Sequence, residues 1–101
     1  MKLLVITAIA EYAKDIKSIL KQANVKSYSF QEVIGFKNPD EDVTSSNWFG
    51  TEMNENESVI FFAFIPKENE IKVFELVDMF NKNQETLSQI HIAVLKIEKS
   101  N

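Results

Sequence analysis

The residue types that most often do chemistry are sparse in this chain. His91 is the single histidine, and no cysteine is present to act as a nucleophile or metal ligand. The hydroxyls of Thr44, Ser45 and Ser46 have no histidine or lysine close in sequence to activate them. Carboxylates are many, but none stands in the apolar setting that creates a general acid. The sequence therefore predicts no catalytic residues, and we expect a protein that is not an enzyme.

Metal binding has little support in the sequence. One imidazole makes a weak site unless threefold symmetry brings three copies of His91 together with carboxylates from a neighbouring subunit. A histidine in a strand is more often structural, so we predict no metal site and keep His91 as a weak candidate. The acids at 40–42 and 52–57 lack the alternating oxygen ligands and the glycine of an EF-hand loop. They indicate a solvated acidic loop.

Two adjacent aromatic residues, Trp48 and Phe49, lie inside a polar stretch between Asn47 and Gly50. Aromatic side chains on a loop often anchor a protein partner, because tryptophan and tyrosine dominate interface hot spots. The alternative is that they pack on the loop itself or on the edge strand. Both interpretations remain open, and we expect Trp48 and Phe49 to belong to a partner-binding loop.

Charge and composition exclude several classes of function. The net charge is −4, and all eleven basic residues are lysines, so no guanidinium fork is available for bases or phosphates. We expect no nucleic-acid partner. The absence of cysteine fits a reducing compartment, and we expect a cytoplasmic protein. The apolar run at 3–10 is too short to span a bilayer, which predicts a buried strand and no membrane insertion, with an exported precursor as the alternative.

The elements that must position these residues follow from hydrophobic periodicity. At 101 residues the chain predicts a single domain, 1–101. Period-two and apolar runs predict strands, and stripes at helical spacing predict helices. The predicted elements are strands at 2–9, 25–36, 58–65 and 90–97, helices at 11–23 and 68–83, and a long flexible loop at 37–57. This order predicts a ferredoxin-like βαββαβ fold of the α+β class, an antiparallel four-stranded sheet with two helices on one face.

The first and third strands are apolar on both faces, as central strands should be, whereas the second alternates like an edge strand. Two helices cover only one face of the sheet, yet residues 61–65 place apolar side chains on both. Leaving several of them in water forfeits roughly 1.5 to 3 kcal/mol each, so we expect self-association. The alternative is that the loop folds back over the sheet of a monomer.

The chain resembles the PII nitrogen-regulatory proteins and their PII-like relatives at residues 7–9, 15–16, 19–20, 23–25 and 32–36. The most specific piece is Val33-Ile34-Gly35-Phe36, where PII proteins carry a Val-x-Gly-x-Gly stretch that leads into their large T-loop. Lys37 stands where the family has the last glycine. The remainder of the chain resembles the family in element order and length.

The resemblance implies a homotrimer with its three sheets facing inward, a small-molecule effector in the cleft between subunits, and a T-loop, here 37–57, that engages a target protein. We therefore expect a signalling protein with a ligand site at the loop base, formed by Gly35, Phe36 and Lys37. Gly35 permits close ligand approach, Phe36 offers a stacking face and Lys37 a positive charge for an anionic or nucleotide-like ligand. The alternative for Gly35 is a strand-end bulge.

The chain also departs from the family. PII proteins hold phosphates with a glycine-rich loop and a lysine before the last core strand, but residues 84–89 contain neither. The chain also has no arginine, and its 37–57 stretch has no tyrosine for uridylylation. Nucleotide binding of the PII kind is therefore not expected, and the sequence names no cofactor. An alternative function is that of the CutA branch of this fold, a tolerance protein associated with divalent metals, with His91 as the ligand.

Overall fold

The structure, a computed structural model, describes residues 1–36 and 55–101 of the chain. Within them it has strands β1 (Lys2–Ile9), β2 (Ser29–Phe36), β3 (Glu55–Ile65) and β4 (His91–Lys96). The helices are α1 (Ala13–Gln22) and α2 (Glu70–Asn83), each preceded by a short 3₁₀ turn. The predicted βαββαβ order of the α+β fold is confirmed.

The four strands form one antiparallel sheet in the order β2-β3-β1-β4. β1 and β3 are therefore central and β2 is an edge, as the apolar and alternating patterns predicted. Both helices pack on the same face of the sheet. Neither helix is long and apolar enough to cross a membrane, in the part of the chain that the structure describes.

The hydrophobic core lies between the sheet and the helices. β1 contributes Leu4, Ile6 and Ala8, which alternate along the strand and therefore share one face. The buried residues of β3 and the helices that complete this core are Val59, Phe61, Ala63, Ile65, Ile16, Ile19, Leu20, Val73 and Val77. The helices thus bury one side of each central strand and leave the other side uncovered by any helix.

β2 begins at Ser29, four residues later than the pattern predicted. Asn24 has a left-handed φ of 62°, and its N–H donates to the Lys21 carbonyl at 3.1 Å. The N–H of Val25 donates to the Leu20 carbonyl at 2.9 Å, and Val25 is buried. These contacts form a Schellman motif, the capping arrangement that follows the last residue of α1. Val25 belongs to this cap and is therefore not part of the strand.

β3 begins at Glu55, three residues earlier than predicted, so the end of the predicted 37–57 loop is strand. Its first residues pair with the last residues of β2, with Phe36 opposite Glu55 and Gly35 opposite Asn56. Backbone pairing with a neighbouring strand holds this segment extended although its side chains are polar. Residues 37–54 lie outside the described residues.

Candidate functional site

The base of the predicted loop is the end of the antiparallel β2–β3 pair at which β2 stops and β3 begins. The register runs without interruption from Ser29 opposite Phe62 to Phe36 opposite Glu55. A bulge would place two residues of one strand opposite one residue of the other. Gly35 pairs with Asn56 in a regular ladder, so the bulge interpretation of this glycine is wrong.

The predicted ligand residues are only partly brought together. Gly35 and Phe36 are adjacent in β2, and successive residues of a strand face opposite sides of the sheet. Gly35 is buried, whereas the Phe36 side chain is 69% exposed and lies on the helix side. Lys37, the third predicted ligand residue, lies outside the described residues. The exposed Phe36 ring is therefore the described aromatic surface at the loop base.

A cleft of about 390 Å³ lies beside this position. Glu32, Val33 and Ile34 line it from β2, Glu57 and Ser58 line it from β3, and Ala10 closes it from the end of β1. Ser58 is buried, while Glu32 and Glu57 are exposed. The cleft thus combines a small apolar floor with two carboxylates at its rim.

The negative charge of this cleft does not suit the anionic ligand that the sequence predicted. Its described lining contains two glutamates and no lysine, so a phosphate placed there meets like charge. Ionised carboxylates accept hydrogen bonds, which suits hydroxyl and amino groups of a ligand. Sequence reasoning assigned Glu57 to the loop and gave Glu32 no role. The register that places Ile34 opposite Glu57 is what brings the two acids to one cleft.

In the turn before β4, where PII proteins hold phosphates, the polar side chains of the turn hydrogen-bond within the turn and to Tyr12. The Tyr12 hydroxyl lies 2.6 Å from Thr86 Oγ1, 3.1 Å from Gln84 Oε1 and 3.3 Å from the Ser88 carbonyl. The Gln84 side-chain amide donates to the same Ser88 carbonyl at 2.6 Å. Tyr12, at the end of the 3₁₀ turn before α1, thereby fixes a segment far from it in sequence.

The backbone amides of this turn are also engaged. The N–H of Thr86 donates to Gln84 Oε1 at 2.7 Å, and the N–H of Ser88 donates to Thr86 Oγ1 at 3.2 Å. A phosphate cradle needs several amides directed outward at the ligand. The arrangement gives a physical reason for the prediction that this turn does not hold a nucleotide phosphate in the manner of PII proteins.

The side of the sheet opposite the helices is named here the open face. Its apolar side chains come from all four strands and are Leu3, Val5, Ile9, Val33, Ile60, Phe62, Phe64, Ala93 and Leu95. Phe62 is 39% exposed and Phe64 is 65% exposed, although both stand on a central strand. The predicted two-sided hydrophobicity of the sheet is therefore confirmed.

His91 begins β4 opposite Thr7, on the open face, and is half-buried. Within residues 1–36 and 55–101, no group of three or more His, Asp or Glu side chains is placed to hold a metal ion. A site built from three symmetry-related copies of His91 stays a prediction. Trp48 and Phe49, the predicted partner-binding residues, fall outside the described ranges.

The sequence matches no protein-family model and no curated protein. The three-dimensional structure does match solved structures. One is a nitrogen regulatory PII-like protein from Thiomonas intermedia, solved with ADP, AMP and bicarbonate, at a TM-score of 0.64 and 15% identity. The match covers 99% of this chain and 94% of that one. The chain has a PII-like fold.

A second structure similar to this chain is a DUF3240 family protein from Shewanella baltica. The TM-score is 0.66 at 15% identity, with 99% of this chain and 92% of the other covered. The PII-like resemblance drawn from residues 7–36 is thus confirmed at the level of the fold.

Proposed function

We propose that this chain is a regulatory, non-catalytic PII-like protein of the cytoplasm. It acts as a homotrimer, binds a small molecule at the loop base between subunits, and regulates a partner protein through the segment that joins β2 to β3. The observation that carries the proposal is the open face, with Phe62 and Phe64 exposed on a central strand of a PII-like fold.

The open face supports self-association on energetic grounds. Both helices lie on the other side of the sheet, so they cannot cover Phe62 and Phe64. Complete burial of one phenylalanine side chain stabilises by roughly 1.5 to 3 kcal/mol, and these two are still substantially in water. Three copies whose open faces meet around a common axis bury the same side chains in each subunit, which suits the symmetry of homo-oligomers.

The position of the acidic cleft supports a site at the subunit boundary. The cleft lies at the end of β2, an edge strand, next to the outer rim of the open face. Val33 shares the open side with Gly35, while Glu32 and Ile34 point to the helix side. Val33 and its partner Ser58 are the strand residues of the cleft lining that lie on the open side, so a neighbouring copy packed on the open face would approach the cleft from these two residues.

The chemistry of the cleft defines the ligand class. Glu32 and Glu57 accept hydrogen bonds from hydroxyl or amino groups, and the exposed Phe36 ring, two residues beyond the lining residue Ile34 on the same side of β2, offers a stacking surface next to the cleft. A ribose with a planar base meets both requirements, and Lys37 supplies charge for an anionic substituent. Since the Thiomonas protein was solved with ADP, AMP and bicarbonate, these three ligands and adenosine are the first probes.

Native mass spectrometry tests the proposal. We expect a trimer that retains adenosine, with the E32Q/E57Q variant binding adenosine about tenfold more weakly, because each lost charged acceptor weakens a hydrogen bond. The matched control is E68Q/E75Q, which removes the same charge from exposed positions outside the cleft. A monomer that retains none of the probes would overturn the proposal, as would equal weakening in both variants.

A further inference from the structure

The lysines of this acidic chain are unevenly distributed. Lys14, Lys17, Lys21 and Lys26 fall within thirteen positions that contain a single acid, Asp15, whereas the whole chain carries a net charge of −4. Three of these lysines line one groove of about 680 Å³ at the C-terminal end of α1. The lining of this lysine groove is Lys17, Ser18, Lys21, Asn24, Val25, Lys26 and Tyr28, with no carboxylate among them.

The backbone under the lysine groove is held in place. The Schellman motif at Asn24 satisfies the last carbonyls of α1 and buries Val25. The Asn69 side chain, just before α2, donates to the carbonyl of Ala23 at 3.1 Å. Lys21 and Lys26 therefore extend from a corner that both helices stabilise, and their Cα atoms need no rearrangement for binding.

One lysine of the groove is itself positioned by the core. The Lys17 ammonium lies 4.5 Å from the centroid of the Phe30 ring, a cation–π contact. Phe30 in turn stacks on the buried Phe61, with 5.1 Å between ring centroids. A lysine held in this way loses less side-chain entropy on binding than a freely rotating one.

We propose that the lysine groove binds an extended acidic segment of a partner protein. Lysines are separate point charges, and Lys17 and Lys21 stand one helical turn apart with Lys26 beyond the helix end. That spacing suits carboxylates distributed along a chain. A lone phosphate occupies a small part of a 680 Å³ groove. A flat bilayer cannot enter a concave surface, while the half-exposed Tyr28 ring gives a peptide an aromatic contact of the kind enriched at interfaces.

This surface is separate from the acidic cleft of the proposed function. Tyr28 precedes the first residue of β2, and the cleft lies around Ile34 near its other end. At 3.3 Å per residue, the two sites are about 20 Å apart along the strand. The inference therefore stands or falls independently of the ligand and of the trimer.

Fluorescence anisotropy on the full chain tests the inference with a labelled peptide of about twelve residues, two thirds of them aspartate or glutamate. The K21Q/K26Q variant should bind about five- to tenfold more weakly, since each exposed ion pair contributes modestly. The matched control, K67Q/K72Q, removes the same charge from exposed lysines elsewhere and should bind like the wild type. Added salt should weaken wild-type binding more than that of K21Q/K26Q.

Four outcomes would overturn the inference. The first is no measurable binding of the acidic peptide, and the second is equal weakening in K21Q/K26Q and K67Q/K72Q. The third is that the chain binds phosphatidylserine vesicles through Lys21 and Lys26 but not the peptide, which would assign the groove to a membrane surface. Binding of the same peptide with its acids replaced by amides would exclude charge as the cause.

Discussion

Tyr12 links two distant parts of the chain through a single side chain. Its ring packs edge-to-face on Phe80 of α2, with 4.9 Å between centroids. Its hydroxyl reaches the turn that precedes β4, where three oxygens lie within hydrogen-bonding distance. The sequence predicted only that Tyr12 falls within the first helix, 11–23. Its polar role depends on tertiary contacts between residues more than seventy positions apart, which periodicity does not encode.

We predict that Tyr12→Phe lowers the free energy of unfolding by about 1 kcal/mol, because the ring contact with Phe80 is kept and only the hydroxyl is lost. For a domain of this size the melting temperature should fall by about 4–8 °C. Urea unfolding at one protein concentration measures the effect. Tyr28→Phe, at an exposed tyrosine, serves as the control and should change stability by much less. Equal effects in the two variants would contradict the role given to the Tyr12 hydroxyl.

The ends of the elements show what local sequence does and does not specify. Apolar periodicity predicted β1, α2 and β4 to within about two residues, because their side chains decide which face is buried. The starts of β2 and β3 were wrong for opposite reasons. Val25 is apolar but caps a helix, and Glu55–Glu57 are polar but are held by backbone pairing.

The backbone conformation of Asn24, just beyond the end of α1, gives a prediction about how this helix end contributes to stability. A left-handed φ of 62° strains a residue with a Cβ and is free of that strain in glycine. Asn24→Ala should therefore lower the free energy of unfolding by about 1 kcal/mol, whereas Asn24→Gly should leave it within about 0.5 kcal/mol of the wild type. Thermal and urea unfolding compare the two variants. Equal destabilisation by alanine and glycine would show that the backbone conformation is not the cause.

At the scale of the whole molecule, the predicted fold and the two-faced sheet are confirmed. The site was predicted less well. Glu32 and Glu57 meet only through the strand register, and the lysine groove forms where the end of α1 approaches the start of β2. Such sites depend on the relative placement of elements. Gly35 and Phe36, which the sequence favoured as ligand residues, lie at the same end of β2 as the acidic cleft, and their role stays a prediction.

The proposed self-association through the open face predicts that stability depends on protein concentration, since a self-associating protein is stabilised by mass action. We predict that the melting temperature of the wild type rises between about 2 and 200 µM, and that Phe62→Asp with Phe64→Asp abolishes both this rise and the trimer. Ile71→Asp, at an equally exposed apolar position on α2, is the control and should remain trimeric. Size-exclusion chromatography gives the mass, and an unchanged mass in the double variant would contradict self-association through this face.

The pairing of Phe36 with Glu55 means that the chain leaves the sheet and returns to it at directly opposite positions of two neighbouring strands. For an insertion anchored in this way, doubling its length changes the closure free energy by only about 0.6 kcal/mol. The sheet therefore tolerates a segment of different length or sequence between these two residues at little cost in the free energy of folding. The sequence between these two residues is then free to diversify, by natural drift or by grafting, without any change to the sheet that supports it.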